Sequence, residues 1–272
     1  MYLSYSAAIT LLSVLPSVLG HGYVQEVTLG STKYPGWNPN TDPYYNPTPQ
    51  RIVRKVPGNG PVEDLSLIDV QCNGYTAGGQ AGSAPAATFG TVAAGATVSF
   101  NWTTWPSETH KARVRLSSRF LPPFGLSNGR TCVSPLITYM AKAPSDITKW
   151  SPGTSAVWFK VHQDGFSNGL WASDRLLTNK GIYSFTIPKT LQAGQYLIRH
   201  EILALHNAWA YPGAQVYPAC AQVQVTGTGT ATGPSSKVSF PGAYTASTPG
   251  IVFDVYKSFS SYPVPGPAVW SG

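Results

Sequence analysis

The 272-residue sequence predicts an all-β fold, an antiparallel sandwich with long loops. Three features predict it. Glycine (27 residues) and proline (24) are plentiful, so apolar stretches are too often interrupted for long helices. Short segments rich in Val, Ile, Phe, Tyr and Trp recur, each flanked by Gly, Pro, Asn or Ser. Charged residues make up 11%, against roughly 25% in ordinary soluble domains. Repeated short strands with turn punctuation describe a sandwich of the immunoglobulin-like or fibronectin-like kind.

The first element lies outside that fold. Ala7 to Leu19 is an apolar run of signal-peptide length, too short to span a bilayer. Val18-Leu19-Gly20 places compact residues where signal peptidase reads. Residues 1–20 therefore read as a signal peptide, although no Lys or Arg precedes the run; a buried N-terminal strand is the alternative. No later stretch is apolar enough to cross a membrane. The mature chain, 21–272, is expected to be secreted, soluble, monomeric and a single domain.

Strands are expected over Tyr23–Leu29, Thr97–Trp102, Leu136–Ala141, Ala156–Val161, Ile182–Ile187, Gln195–Leu205, Gln215–Val225 and Lys237–Phe240. Residues 33–66 lack core periodicity and carry Tyr34, Trp37, Tyr44 and Tyr45 among prolines. They read as a long exposed loop, either packing its own aromatics or offering them to the flat faces of sugar rings. Thr226 to Ser236 is linker-like in composition. The proline-rich end from Tyr262 cannot form a central strand and is expected along the surface. No internal repeat is found, and no separate carbohydrate-binding module is expected. Asn101-Trp-Thr103 is an N-glycan acceptor sequence within an expected strand.

The net charge of +7 is mostly scattered. Arg51, Arg54 and Lys55 cluster, as does a run at 111–119, but no basic stripe forms, which argues against a nucleic-acid partner. An extracellular chain permits disulfides. Of the three cysteines, Cys72, Cys132 and Cys220, one is left over, and spacing does not choose the pair.

Cleavage after Gly20 makes His21 the new N-terminus. Its α-amine and ring Nδ1 can then chelate one metal, and the amine, with a pKa of about 8, gives up its proton readily. One further imidazole completes a planar three-nitrogen site, an arrangement that selects Cu(II). His110, His162, His200 and His206 are the candidates. By itself a histidine after a signal peptide is a weak signal, and His206 and Tyr217 taken alone could equally be core residues.

The motifs narrow the choice. His21-Gly-Tyr-Val, Asp69-Val-Gln-Cys72-Asn-Gly, Trp105-Pro-Ser-Glu-Thr-His110-Lys and Pro135-Leu-Ile-Thr-Tyr-Met-Ala are followed by Val157-Trp-Phe-Lys160. Arg199-His-Glu-Ile-Leu-Ala-Leu-His206, Gly213-Ala-Gln-Val-Tyr-Pro-Ala-Cys220 and Val238-Ser-Phe-Pro-Gly-Ala-Tyr244 continue them. In this order, across nearly the whole mature chain, they resemble the fungal lytic polysaccharide monooxygenases of auxiliary activity family 9, formerly glycoside hydrolase family 61.

The resemblance implies a role at each matching position. His21 and His110 would hold one copper as a histidine brace, with the Tyr217 hydroxyl on its axial side. His206 and Gln215 would hydrogen-bond an oxygen species beside the metal. Cys72 and Cys220 would form the disulfide, and Tyr262, with Tyr44 and Tyr45, would contact the polysaccharide. The implied reaction is cleavage of a β-1,4-glucan, cellulose or a hemicellulose, through hydrogen abstraction at C1 or C4. It would use an external electron donor and O2 or H2O2. Gln215 and Tyr217, two apart on one strand, share a face. His200, six residues before His206 on the same expected strand, shares that face by parity, so only the motif separates the two. His162 beside its Gln-Asp-Gly turn is expected to be solvated.

Other chemistries fare worse. No Gly-x-Ser-x-Gly elbow occurs, and no carboxylate pair suited to a glycosidase stands out among the 11 acidic residues. Two non-oxygenase readings remain, a copper-binding protein and a cell-wall-binding protein. One segment is foreign to its surroundings. Ala112 to Ser134 holds Arg113, Arg115, Arg119, Arg130 and Cys132; without it the net charge falls from +7 to +3 and the cysteine count becomes even. It reads as a translated intron or, alternatively, a surface insertion beside His110.

Overall fold

In the computed structural model, residues 21–79, 82–103, 105, 111–112 and 131–272 are described. The first strands are β1 (Val24–Leu29), β2 (Thr32–Pro35), β3 (Gly90–Ala93), β4 (Thr97–Trp102), β5 (Lys111–Ala112) and β6 (Thr131–Cys132). They are followed by β7 (Leu136–Lys142), β8 (Phe159–Asp164), β9 (Phe166–Ser167) and β10 (Leu170–Trp171). The last are β11 (Ile182–Thr186), β12 (Gly194–Ala204) and β13 (Gln215–Thr226). Two short helices, α1 (Asp69–Cys72) and α2 (Ala172–Thr178), lie between them.

Side-chain alternation decides which faces meet. In β4, Val98, Phe100 and Trp102 are buried while Thr97, Ser99 and Asn101 face outward, and Tyr183 and Phe185 do the same in β11. These strands belong to a four-stranded antiparallel sheet, β11-β4-β1-β2, with one face in the core. The second sheet, β3-β13-β12-β7-β8, is buried on both faces along its central strands β13, β12 and β7. In β12, Tyr196, Ile198 and Ile202 enter the core between the sheets, while Leu197 and Leu203 enter a second apolar cluster beneath the loops. Each large side chain fully buried this way contributes ~1.5–3 kcal/mol. The antiparallel sandwich is therefore the fold, with one exception: β3 runs parallel to β13.

The outer edge of β13 is covered piecewise. Val62 bridges Val216, Val53 bridges Ala221, and β3 pairs with Val223–Thr226. Residues 33–66 are thus only partly the exposed loop that their composition predicts. Trp37, Ile52, Val53, Val56, Val62 and Leu65 are buried, because an open edge beside the longest strand would leave its peptide groups unpaired. The Cys72–Cys220 disulfide joins α1 to the same strand.

Three further differences have local causes. Lys237–Phe240 contributes a single bridge, Val238 to Trp158, because Pro241 follows. Thr226–Ser236, despite its composition, pairs with the 190–192 segment through Gln192 N–H to Ala231 O and Ala231 N–H to Thr190 O. Helix α2 begins where the Asp174 carboxylate accepts the Trp171 N–H, the N3-to-N-cap bond of a capping box.

Candidate functional site

His21 sits just before β1, half-buried, against the end of β4. The Tyr23 N–H donates to Thr103 Oγ1, and Gly22 packs beside Trp102 and Trp105, where a Cβ would press on Thr103 Oγ1 and only touch the two rings. Tyr217, near the start of β13, is buried, with its ring 6.2 Å from that of His21 and edge-on to Trp105 at 4.7 Å. Two-residue periodicity brings Gln215 to the same face, and the Tyr217 hydroxyl lies 3.5 Å from Gln215 Oε1. Burial, and secondarily the Glu63 carboxylate, push the Tyr217 hydroxyl well above its ordinary range, so it remains a neutral phenol.

His206 is also half-buried. It lies past the end of β12, in a turn held by Leu205 N–H to Val133 O and by the Tyr256 hydroxyl donating to His206 O. Burial lowers its pKa, Glu63 opposes that shift, and His21 adds to it. The structure thus gathers His21, His206, Gln215 and Tyr217 at one end of the sandwich. His110 falls outside the described residues, as do residues 1–20 and 113–130.

The other histidines play different parts. Strand β12 ends at Ala204, so the parity linking His200 to His206 stops short of His206. His200 is fully buried between the sheets, hydrogen-bonded to Thr138 Oγ1 at 3.0 Å and stacked on Tyr183 at 4.7 Å. His162, expected to be solvated, is half-buried within β8, with its Nδ1 2.5 Å from the Tyr183 hydroxyl. Neither belongs to the site. Glu201 is buried and committed to Arg199 and the Tyr244 hydroxyl, while Asp164 pairs with Arg175.

Tyr262 is a correction. Expected on the polysaccharide-facing surface, it is 8% exposed. Its hydroxyl donates to Gly250 O at 2.8 Å, and its ring packs against Trp171 and Phe253. The proline-rich end folds back along the second sheet, where Lys160 Nζ donates to Pro265 O, and so carries this ring into the loop-side core. Trp37 is likewise buried, with Lys55 over its ring. Tyr44, 84% exposed, and Tyr45 do stand in solvent, on a turn pinned by Arg51 to Asp42. Asn101 faces outward from β4, half-buried, and accepts a hydrogen bond from Gln25.

Sequence reading overlooked the loop between the two site strands. Asn207 to Gly213 carries Trp209, 54% exposed, and Tyr211. With Glu63, Asp64 and Gln215 these line an open groove, and Trp209 also packs against exposed Tyr256. The signal was present: two aromatics without strand alternation, between the strand candidates that carry the histidine and glutamine. Gly213 lets this loop close on itself, since a Cβ there would strike Asn207 O and Ala210 O.

His21 thus lies beside a buried tyrosine at the end of a β-sandwich bordered by exposed aromatics. Comparison with known proteins identifies the family. The profile of Auxiliary Activity family 9 (formerly GH61) matches residues 21–262. The chain is 49% identical over 271 residues to AA9 family lytic polysaccharide monooxygenase B of Gloeophyllum trabeum, covering 97% of each. It is 50% identical over 265 residues to monooxygenase F of Botryotinia fuckeliana, covering 96% of each. Among solved structures, the extended catalytic domain of H. jecorina LPMO9A superposes with a TM-score of 0.76 at 29% identity, over 93% of this chain and 92% of that one. A cellulose-active polysaccharide monooxygenase from M. thermophila gives 0.72 at 28% identity, over 93% of this chain and all of the other. The chain belongs to auxiliary activity family 9 and is a lytic polysaccharide monooxygenase. That family is copper-dependent and secreted; among the described residues no helix is long and apolar enough to cross a membrane.

Proposed function

We propose that this chain, once cut after Gly20, binds one copper through the His21 amine, the His21 imidazole and His110, and oxidatively cleaves β-1,4-glucan at C1 or C4. The observation that carries this reading is the convergence of His21, Tyr217, Gln215 and His206 at one end of the sandwich. The donor chemistry fits: nitrogen ligands suit Cu(II), and the Tyr217 hydroxyl beside His21 stays a neutral phenol. Bound there, copper supplies one-electron redox chemistry, with O2 or H2O2 as co-substrate and an external donor as the source of electrons.

The chain's own residues set the surroundings. The Tyr23 N–H to Thr103 Oγ1 bond and the packing of Gly22 beside Trp102 and Trp105 set the residue before them at the end of β4, where cleavage after Gly20 would present the His21 α-amine and ring together. Burial favours the neutral His206 imidazole, which can donate or accept a proton at the site. Exposed Trp209, Tyr211 and Tyr256 on one side, with Tyr44 and Tyr45 on their separate turn, offer apolar faces to sugar rings. With Tyr262 buried, the Trp209–Tyr256 patch takes over the contact expected of it.

Copper titration of the metal-free protein by calorimetry tests the ligand set. A chain beginning at His21 should bind one equivalent tightly, while one retaining Gly20 should lose affinity by at least about a hundred-fold, because it has lost the amine ligand. Equal affinity in the two forms sinks the brace.

A further inference from the structure

We propose that Glu63 is a positioning residue, one that fixes the Gln215 side-chain amide so that its oxygen, and not its nitrogen, faces the Tyr217 hydroxyl. The hydrogen-bond geometry stands independently; its meaning for turnover rests on the functional reading above.

The placement follows from strand register. Val62 and Val216 exchange both backbone hydrogen bonds, 2.7 Å from Val62 N–H to Val216 O and 3.0 Å in return, as an antiparallel bridge. Stepping one residue along each strand in opposite directions sets Glu63 opposite Gln215. There Gln215 Nε2 donates to Glu63 Oε1 at 2.7 Å, a charge-assisted length. A carboxylate only accepts, so the amide cannot turn its oxygen toward Glu63 without setting two acceptors against each other. The nitrogen is therefore committed to Glu63, and Oε1 points to Tyr217, 3.5 Å from its hydroxyl.

Gln215 thus turns its acceptor oxygen toward the Tyr217 hydroxyl, with one N–H of its amide held on Glu63. Nothing in the order of the sequence links residue 63 to residue 215; the edge pairing along β13 creates the contact.

The test uses Glu63→Ala, which removes the acceptor, and Glu63→Gln, which keeps an acceptor without the charge. Residue 63 is exposed, so both variants should fold. In the copper-free wild type, the Gln215 side-chain amide proton should resonate downfield by NMR, assigned by its absence in Gln215→Glu. It should move to the solvated-amide position in Glu63→Ala and stay partly downfield in Glu63→Gln. With copper and polysaccharide, kcat should fall about ten-fold in Glu63→Ala with KM changed less than two-fold, Glu63→Gln lying between. An unmoved Gln215 signal in Glu63→Ala overturns the proposal. So does a change in KM alone, which would make Glu63 a substrate contact of the groove. If the wild type yields no oxidised sugars, the functional reading fails, while the NMR result still decides the role of Glu63.

Discussion

His200 and His206 lie six residues apart and show how environment divides one residue type between two tasks. His200, sealed between Phe100, Trp102 and Tyr183, has its imidazole pushed down to about 3 by burial. The unfolded chain takes up a proton at this ring below about pH 6.5, whereas the folded chain resists until about pH 3. Stability from this residue is therefore complete above pH 6.5 and drains away as pH falls toward 3. Urea denaturation of the wild type should weaken through that window with a slope of up to about 1.4 kcal/mol per pH unit, and His200→Gln should flatten it. Identical slopes would show the buried ring to be irrelevant. His206 is expected to matter for chemistry and little for the fold. His206→Ala should keep its melting temperature and its copper affinity while losing about a hundred-fold in turnover. A variant that unfolds instead would mark His206 as a core residue.

At the scale of elements, β13 organises the molecule. It carries Gln215 and Tyr217 at the site, Cys220 in the disulfide, and an edge covered by Val53, Val62 and β3. Its alternating sequence made the strand legible, and the shared face of Gln215 and Tyr217 with it. The pieces that cover its edge were not legible: single bridges at Val53 and Val62 leave no periodicity, so neither the burial of the 52–65 segment nor the neighbourhood of Glu63 could be read. The foreign segment belongs at this scale too. Lys111 pairs with Cys132 and Ala112 with Thr131, a two-residue antiparallel neck that brings the ends of residues 113–130 together. Replacing 113–130 by Asn-Gly, the favoured two-residue hairpin turn, should leave melting temperature and copper affinity unchanged or improved. Loss of either would show the insertion to be an integral part of the enzyme. Sequencing the transcript separates its two origins: a message that retains these codons rules out the translated intron.

For the whole molecule, the sandwich was legible because seven of the expected strands correspond to observed ones in the two sheets, and only Lys237–Phe240 reduces to a bridge. The gathering of His206, Gln215 and Tyr217 was legible through motif spacing, which marked His206 over His200 where parity could not. The polysaccharide-facing surface was the least legible part. Exposure is a property of packing between distant segments, so nothing local distinguished Tyr262, now buried against Trp171, from Trp209, now open to solvent. Under the proposed function, turnover requires the N-terminal residue to act as part of a redox site beside that surface. Mass spectrometry of the soluble products from cellulose, with copper-loaded protein beginning at His21 and ascorbate as reductant, tests this most directly. Oligosaccharides oxidised at C1 or C4 are predicted, and none when ascorbate is omitted or Gly20 is retained; their formation by the Gly20-extended protein, or their absence from the His21 form, would contradict it.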